Sequence, residues 1–169
     1  MANEIVNRVA TSQLITIDLE DFYPKGERIV LDIKNWLYHE LILKETDFRE
    51  HLKNHDWSQY QNKYVALTCS ADAIIPSWAF MLISTYISPF SKKVVVGNLS
   101  TLETSIFQDI IHAIPVDEYL EKPIIIKGCS NKPIPETAYL QLIEKLQPIV
   151  KSIMFGEACS TVPLFKKQK

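Results

Sequence analysis

Four short β-branched runs, spaced about 30 residues apart, the length of one βαβ unit, constrain the fold of this chain more than any other feature. They are Tyr64-Val65-Ala66-Leu67, Lys93-Val94-Val95-Val96, Pro123-Ile124-Ile125-Ile126 and Ser152-Ile153-Met154-Phe155. Continuous rather than alternating apolar runs suit strands of a parallel sheet covered on both faces. The intervening segments read as helices. Pro76 to Ser88 is apolar nearly all round, which predicts a buried helix. Ser100-Thr101-Leu102-Glu103 has the form of a capping box opening a second helix, with Leu102, Ile106, Phe107, Ile110 and Ile111 on one face. Pro135 opens a third, striped by Tyr139, Leu142, Ile143 and Leu146.

The first 60 residues are different. Leu14-Ile15-Thr16-Ile17-Asp18-Leu19 and Ile29-Val30-Leu31-Asp32-Ile33 read as strands about a Pro24-Lys25-Gly26 turn, hairpin-like. A short helix is predicted over Asp47 to Asn54, capped by Thr46. The expected architecture is one α/β domain over 1–169. It has an open, mostly parallel, doubly wound sheet from repeated βα units in 61–169, with the β-rich portion 1–60 packed on it.

Composition narrows the function classes. The 169 residues are 47% hydrophobic and 22% charged, as in ordinary globular domains. A net charge of −2 gives no basic footprint for nucleic acid. The apolar stretch Ala73 to Tyr86 is broken by Pro76, Ser77 and Ser84, so no membrane span is expected. Met-Ala-Asn-Glu-Ile-Val is not a secretory leader, and a cytoplasmic location is expected. Four glycines leave no nucleotide-binding fingerprint. The sequence carries no signal for an oligomeric state.

The chemistry concentrates on cysteine. Cys69, Cys129 and Cys159 each follow a predicted strand and each precede a serine. Cys69 and Cys129 also share a downstream Ile-Pro-x-x-Ala-aromatic sequence, at Ile75-Pro76 and Ile134-Pro135. A shorter echo, Val162-Pro163-Leu164-Phe165, follows Cys159, and each proline is expected in the first turn of a helix. Open α/β sheets bind ligands beyond the carboxyl ends of their strands. A strand order of the common 2-1-3-4 kind would bring the three sulfurs together. Three thiolates suit zinc or an iron–sulfur cluster, with Asp72 or Glu157 as an oxygen donor. Two readings stand beside this: a cysteine nucleophile or redox thiol, for which Cys129 is the candidate, and buried structural cysteines in a non-catalytic interaction module.

Other groups read as structural. Asp18, Glu20, Asp21 and Asp32 are expected on a solvated strand face, and His51 and His55 at a surface helix end. Trp36, Trp57 and Trp78 are expected in the core.

The stretches Asp18-Leu19-Glu20-Asp21-Phe22-Tyr23-Pro24, Cys69-Ser70-Ala71-Asp72-Ala73-Ile74-Ile75-Pro76, Lys127-Gly128-Cys129-Ser130 and Gly156-Glu157-Ala158-Cys159-Ser160-Thr161-Val162-Pro163 resemble an uncharacterised bacterial family, domain of unknown function 2480. The resemblance implies no catalytic residues. It does imply a setting near iron–sulfur cluster assembly, with assembly proteins as partners.

Overall fold

The computed structural model describes residues 13–128, 130–157 and 159–168. The fold is α/β, with four α-helices and two open, mostly parallel sheets among the described residues. The strands are β1 (Ile15–Ile17), β2 (Arg28–Asp32), β3 (Tyr64–Thr68), β4 (Lys93–Val96), β5 (Pro123–Ile126), β6 (Ser152–Glu157) and β7 (Ser160–Lys166). The helices are α1 (Glu45–Asn54), α2 (Ser77–Ile87), α3 (Leu99–Ala113) and α4 (Glu136–Leu146). The four βα-spaced runs form β3, β4, β5 and β6 as expected, but they divide between two sheets, ordered β2-β3-β4 and β1-β5-β6-β7.

The hairpin expected near the N-terminus does not form. β1 pairs parallel with β5, and β2 pairs parallel with β3. The reason lies in burial. Ile15 and Ile17 of β1 pack with Ile124, Ile126 and Ile153, whereas Leu31 of β2 packs with Val65 and Leu67. Each strand buries more apolar surface against a distant parallel strand than a two-stranded ribbon would allow.

The chain clusters into two compact units. One comprises Met1–Tyr23 and Phe107–Lys169, the other Pro24–Ile106, and α3 is divided between them. The two units are built alike. β2 ends on Leu31-Asp32 and β1 on Ile17, which Asp18 follows, and both run into 3-10 turns. A helical segment then buries Phe48 in one unit and Phe107 in the other, both fully. A 3-10 turn carrying buried Tyr60 or Tyr119 leads into β3 or β5, which open at Tyr64 and Pro123, 59 residues apart. From there the details match at the same spacing. Asn62 and Glu121 both have positive φ, as do Gly97 and Gly156. Asn62 N–H donates to Phe90 O at 2.9 Å, and Glu121 N–H to Ile149 O at 2.8 Å. The second unit is thus inserted into the sequence of the first between Tyr23 and Phe107, its end falling within α3.

Local corrections have clear causes. α1 starts at Glu45, one residue before the expected cap Thr46. The side chain that caps α3 is Asn98, whose Oδ1 accepts from Thr101 N–H at 2.9 Å, rather than Ser100. Glu103 pairs with Arg28 Nε at 2.6 Å. α2 buries Ala79, Ile83 and Ile87 but exposes Met81, so it is covered on one face only. Pro76 and Pro135 stand at the N-caps of α2 and α4. Pro163 opens no helix. It lies in β7, which pairs antiparallel with β6 beside a register shift between Ile153 and Met154. An edge strand tolerates a proline there because no inner ladder bond is lost.

The matching positions of Phe48 and Phe107 predict matching energetics. Phe48→Ala and Phe107→Ala should each lower stability by about 3–5 kcal/mol. Urea unfolding of the two variants checks this, and a loss confined to one of them would contradict the equivalence.

Candidate functional site

The carboxyl end of the β1-β5-β6 ladder gathers most of the chemistry-bearing groups of the first unit. Register brings them there: Ile17 stands beside Ile126, and Ile126 beside Phe155. The residues that follow are Asp18 and Glu20 after β1, Lys127 and Gly128 after β5, and Gly156 and Glu157 at the end of β6. Cys159 is exposed in the turn between β6 and β7. Cys129, between Gly128 and Ser130 in the chain, lies outside the described residues.

Of the acidic residues of the N-terminal portion, Asp21 is exposed, whereas Asp18, Glu20 and Asp32 fasten the strand ends and the loops beyond them. Asp18 accepts Glu20 N–H at 2.9 Å and the Lys127 ammonium at 2.7 Å. Glu20 Oε1 accepts the N–H groups of Asn131 and Lys132, immediately after the Cys129-Ser130 pair. Lys132 Nζ returns to the Glu20 carbonyl at 3.2 Å and lies 5.4 Å from the centre of the Tyr23 ring. Ser130 Oγ donates to Lys132 O at 2.8 Å, which tightens the loop further.

The second unit uses the same device with a shorter acid. Asp32 Oδ1 accepts Lys34 N–H and Ser70 N–H, both at 3.0 Å. The clamped amide therefore follows Cys69 directly. Cys69 is half-buried against the hydrophobic core of its unit, and its Sγ donates to Ala71 O at 3.9 Å. The constant spacing between units pairs Leu67 with Ile126, and so Cys69 with Gly128 rather than with Cys129. The shared Cys-Ser sequence is thus displaced by one position between two equivalent loops.

Gly128 has a packing reason. A Cβ there would lie 2.9 Å from the Phe155 ring, which meets Tyr139 edge-on at 5.8 Å between centroids. Gly156 has a conformational one, with φ +122 and the Ser160 carbonyl 2.6 Å from where a Cβ would sit. Both glycines let the ends of β5 and β6 approach their neighbours closely.

The electrostatics follow from these contacts. Burial raises the Asp18 carboxyl, but the Lys127 and Glu20 hydrogen bonds outweigh it and hold the group below its ordinary value. Ser130 and the Asn131 amide hold Glu20 low. For Asp32, burial is again overcome, here by Ser70 and the Lys34 amide. Lys127 is raised by Asp18, with smaller contributions from Glu157 and Glu20. Burial raises the Tyr139 phenol, and the charges of Asp18 and Glu20 add to the effect.

Of the sequence candidates, the fold brings Glu157 and Cys159 to the strand ends where β5 leads into Cys129. It does not place the strand of Cys69 in that sheet, because β3 pairs with β2 and β4. Asp72 lies in the Cys69 loop of the second unit. Among the described residues, no three of His, Cys, Asp or Glu come close enough together to hold an ion. His51 stacks on Trp36, and His55 packs on Trp57 while bonding Tyr60 Oη at 2.8 Å. His51 is exposed in the last turn of α1 and His55 is half-buried at its C-cap, so both stand at a surface helix end as expected. The missed signal was the pairing of Glu20 and Asp32 with the loops after the cysteines. It depends on strand pairing between distant segments, which spacing along the chain does not reveal.

The depressed carboxyls set a pH dependence. Ordinary values are 3.8 for Asp18 and Asp32 and 4.5 for Glu20. The stability each contributes is present in full above those values and is lost as pH falls through the lower folded ones. The urea midpoint should therefore fall as the solution is acidified below about pH 5. Asp32→Asn with Glu20→Gln should flatten that fall, and an unchanged pH profile in the double variant would contradict the clamp.

No helix among the described residues is long and apolar enough to cross a membrane. No curated protein and no solved structure matches the chain. One family model does match, over residues 3–167, and the chain belongs to that family, described as a protein of unknown function (DUF2480).

Proposed function

We propose that this protein binds a soft metal, zinc or an iron–sulfur cluster, through Cys129 and Cys159 at the ends of β5 and β6. Glu157 is the oxygen donor nearest in the chain to Cys159. The observation that carries the reading is the clamped loop: Glu20 takes up the Asn131 and Lys132 amides just after Cys129, on the strand neighbouring the one that leads to Cys159. Neighbouring strands run about 4.8 Å apart, a separation that two cysteine side chains can span toward one ion. Thiolate and carboxylate donors fit zinc and iron, and two thiolates with one carboxylate leave a position open for exchange.

The clamp also bears on competing chemistry. A thiol nucleophile or oxyanion site would use free loop amides, and Glu20 already occupies two of them. Cys69 has the character of a structural cysteine, packed on a core and bonded to its own loop. A thiolate site that includes the exposed Cys159 suits a role accessory to iron–sulfur cluster assembly, with assembly proteins as partners. Such a role belongs in a reducing compartment, the cytoplasm.

Elemental analysis of protein purified without oxygen tests the proposal. Iron or zinc should be retained by the wild type and by Cys69→Ser, and lost from Cys129→Ser and Cys159→Ser. A visible absorption band separates a cluster from zinc. Metal-free wild type, or equal loss in all three variants, would contradict the proposal.

A further inference from the structure

The equivalence of the two units exposes a difference at one sheet edge. In the first unit the outer side of β6 carries β7, antiparallel. In the second unit the corresponding strand is β4, and among the described residues no strand pairs with its outer side. The backbone groups presented there can be read from the ladder. Gly97 N–H donates inward to Leu67 O at 2.9 Å. Alternation along the strand then turns the N–H and C=O groups of Val94 and Val96 outward. Their counterparts on β6, Ile153 and Phe155, face Phe165 and Val162 of β7. The two edges offer the same groups in the same places, and one of them is already paired with an antiparallel strand.

The side chains along β4 suit association. Val96 is 55% exposed and Met81, on the neighbouring helix, 67%. Phe80, Met81, Val94 and Val96 line one shallow apolar hollow beside the strand. Edge strands that must stay single are guarded by charge or proline. β4 has no proline, and its one charged residue, Lys93, reaches aside to Ser105 O at 3.0 Å.

We propose that β4 is a dimerisation strand, and that its occupant is β4 of a second copy of this chain. A two-fold axis through Val95 makes the pairing antiparallel, the orientation β6 and β7 already adopt. Val94 then stands opposite the partner's Val96, so outward N–H and C=O groups meet in hydrogen-bonded pairs. Val95 faces the partner's Val95 as a non-hydrogen-bonded pair. Lys93 stands opposite the partner's Gly97, so no like charges oppose and its stem meets no side chain. The edge is complementary to itself in register, charge and bulk, as an isologous interface requires.

Sedimentation equilibrium of the full chain should give twice the chain mass. Val96→Pro removes one outward N–H and no ladder bond to β3, so it should weaken self-association by at least about tenfold. Val95→Cys, in a chain with Cys69, Cys129 and Cys159 changed to Ser, should form an intermolecular disulfide on mild oxidation, whereas Val94→Cys should not. This second measurement decides the matter if Val96→Pro perturbs folding. A monomeric wild type, or a dimer in which Val95→Cys fails to cross-link, would overturn the proposal.

Discussion

Parallel pairing between segments far apart in the chain is the constraint from which the rest of this structure follows. β1 enters the first unit beside β5, with Ile15 to Ile17 registered on Ile124 to Ile126, although the whole second unit lies between them in sequence. Isoleucine side chains on the shared face make that register costly to slip, because a one-residue shift would move them all to the other face. Once the register is set, the residues beyond the strand ends have little choice. Asp18 falls beside Lys127, and Glu20 reaches the loop amides at Asn131 and Lys132. The second unit repeats the logic through Leu31 beside Leu67, which delivers Asp32 to Ser70.

The carboxylate clamps explain how short loops of polar residues can be held at the ends of buried strands. Each loop leaves the sheet with backbone amides that no ladder can satisfy, and a carboxylate from the neighbouring strand accepts them. This arrangement directs what the loops can bind. Amides committed to Glu20 or Asp32 are not offered to an anion. The two units diverge in how they use it. The first places Gly128 where the second has Cys69, which moves its cysteine one residue further out, and adds Cys159 in the turn before β7. The second keeps its thiol against the core. A duplicated framework thus carries its cysteines at different positions along the chain in the two units.

Much of this was legible in the sequence, for identifiable reasons. Strands β3 to β6 and helices α2 to α4 announce themselves by β-branched runs and helical stripes, which local physics decides. The two Ile-Pro helix starts marked equivalent loops. Strand partnership was not legible. Leu14 to Leu19 and Ile29 to Ile33 look like neighbours around a Pro-Gly turn, but the apolar faces of β1 and β2 find better partners in β5 and β3. The acidic group looked solvated for the same reason, since its role exists only once those distant strands pair. β7 was hidden by Pro163, which resembled the prolines before α2 and α4 and instead occupies an edge strand. The displacement between Cys69 and Cys129 was invisible because both are followed by serine.

The central claim is that the strand ends of the first unit present thiolates to a metal. X-ray absorption at the zinc or iron edge, on protein purified without oxygen, addresses it most directly. The account predicts sulfur scatterers at about 2.3 Å from the metal, with the sulfur signal diminished by Cys159→Ser. A first shell of oxygen and nitrogen alone, or the absence of any metal edge, would contradict it.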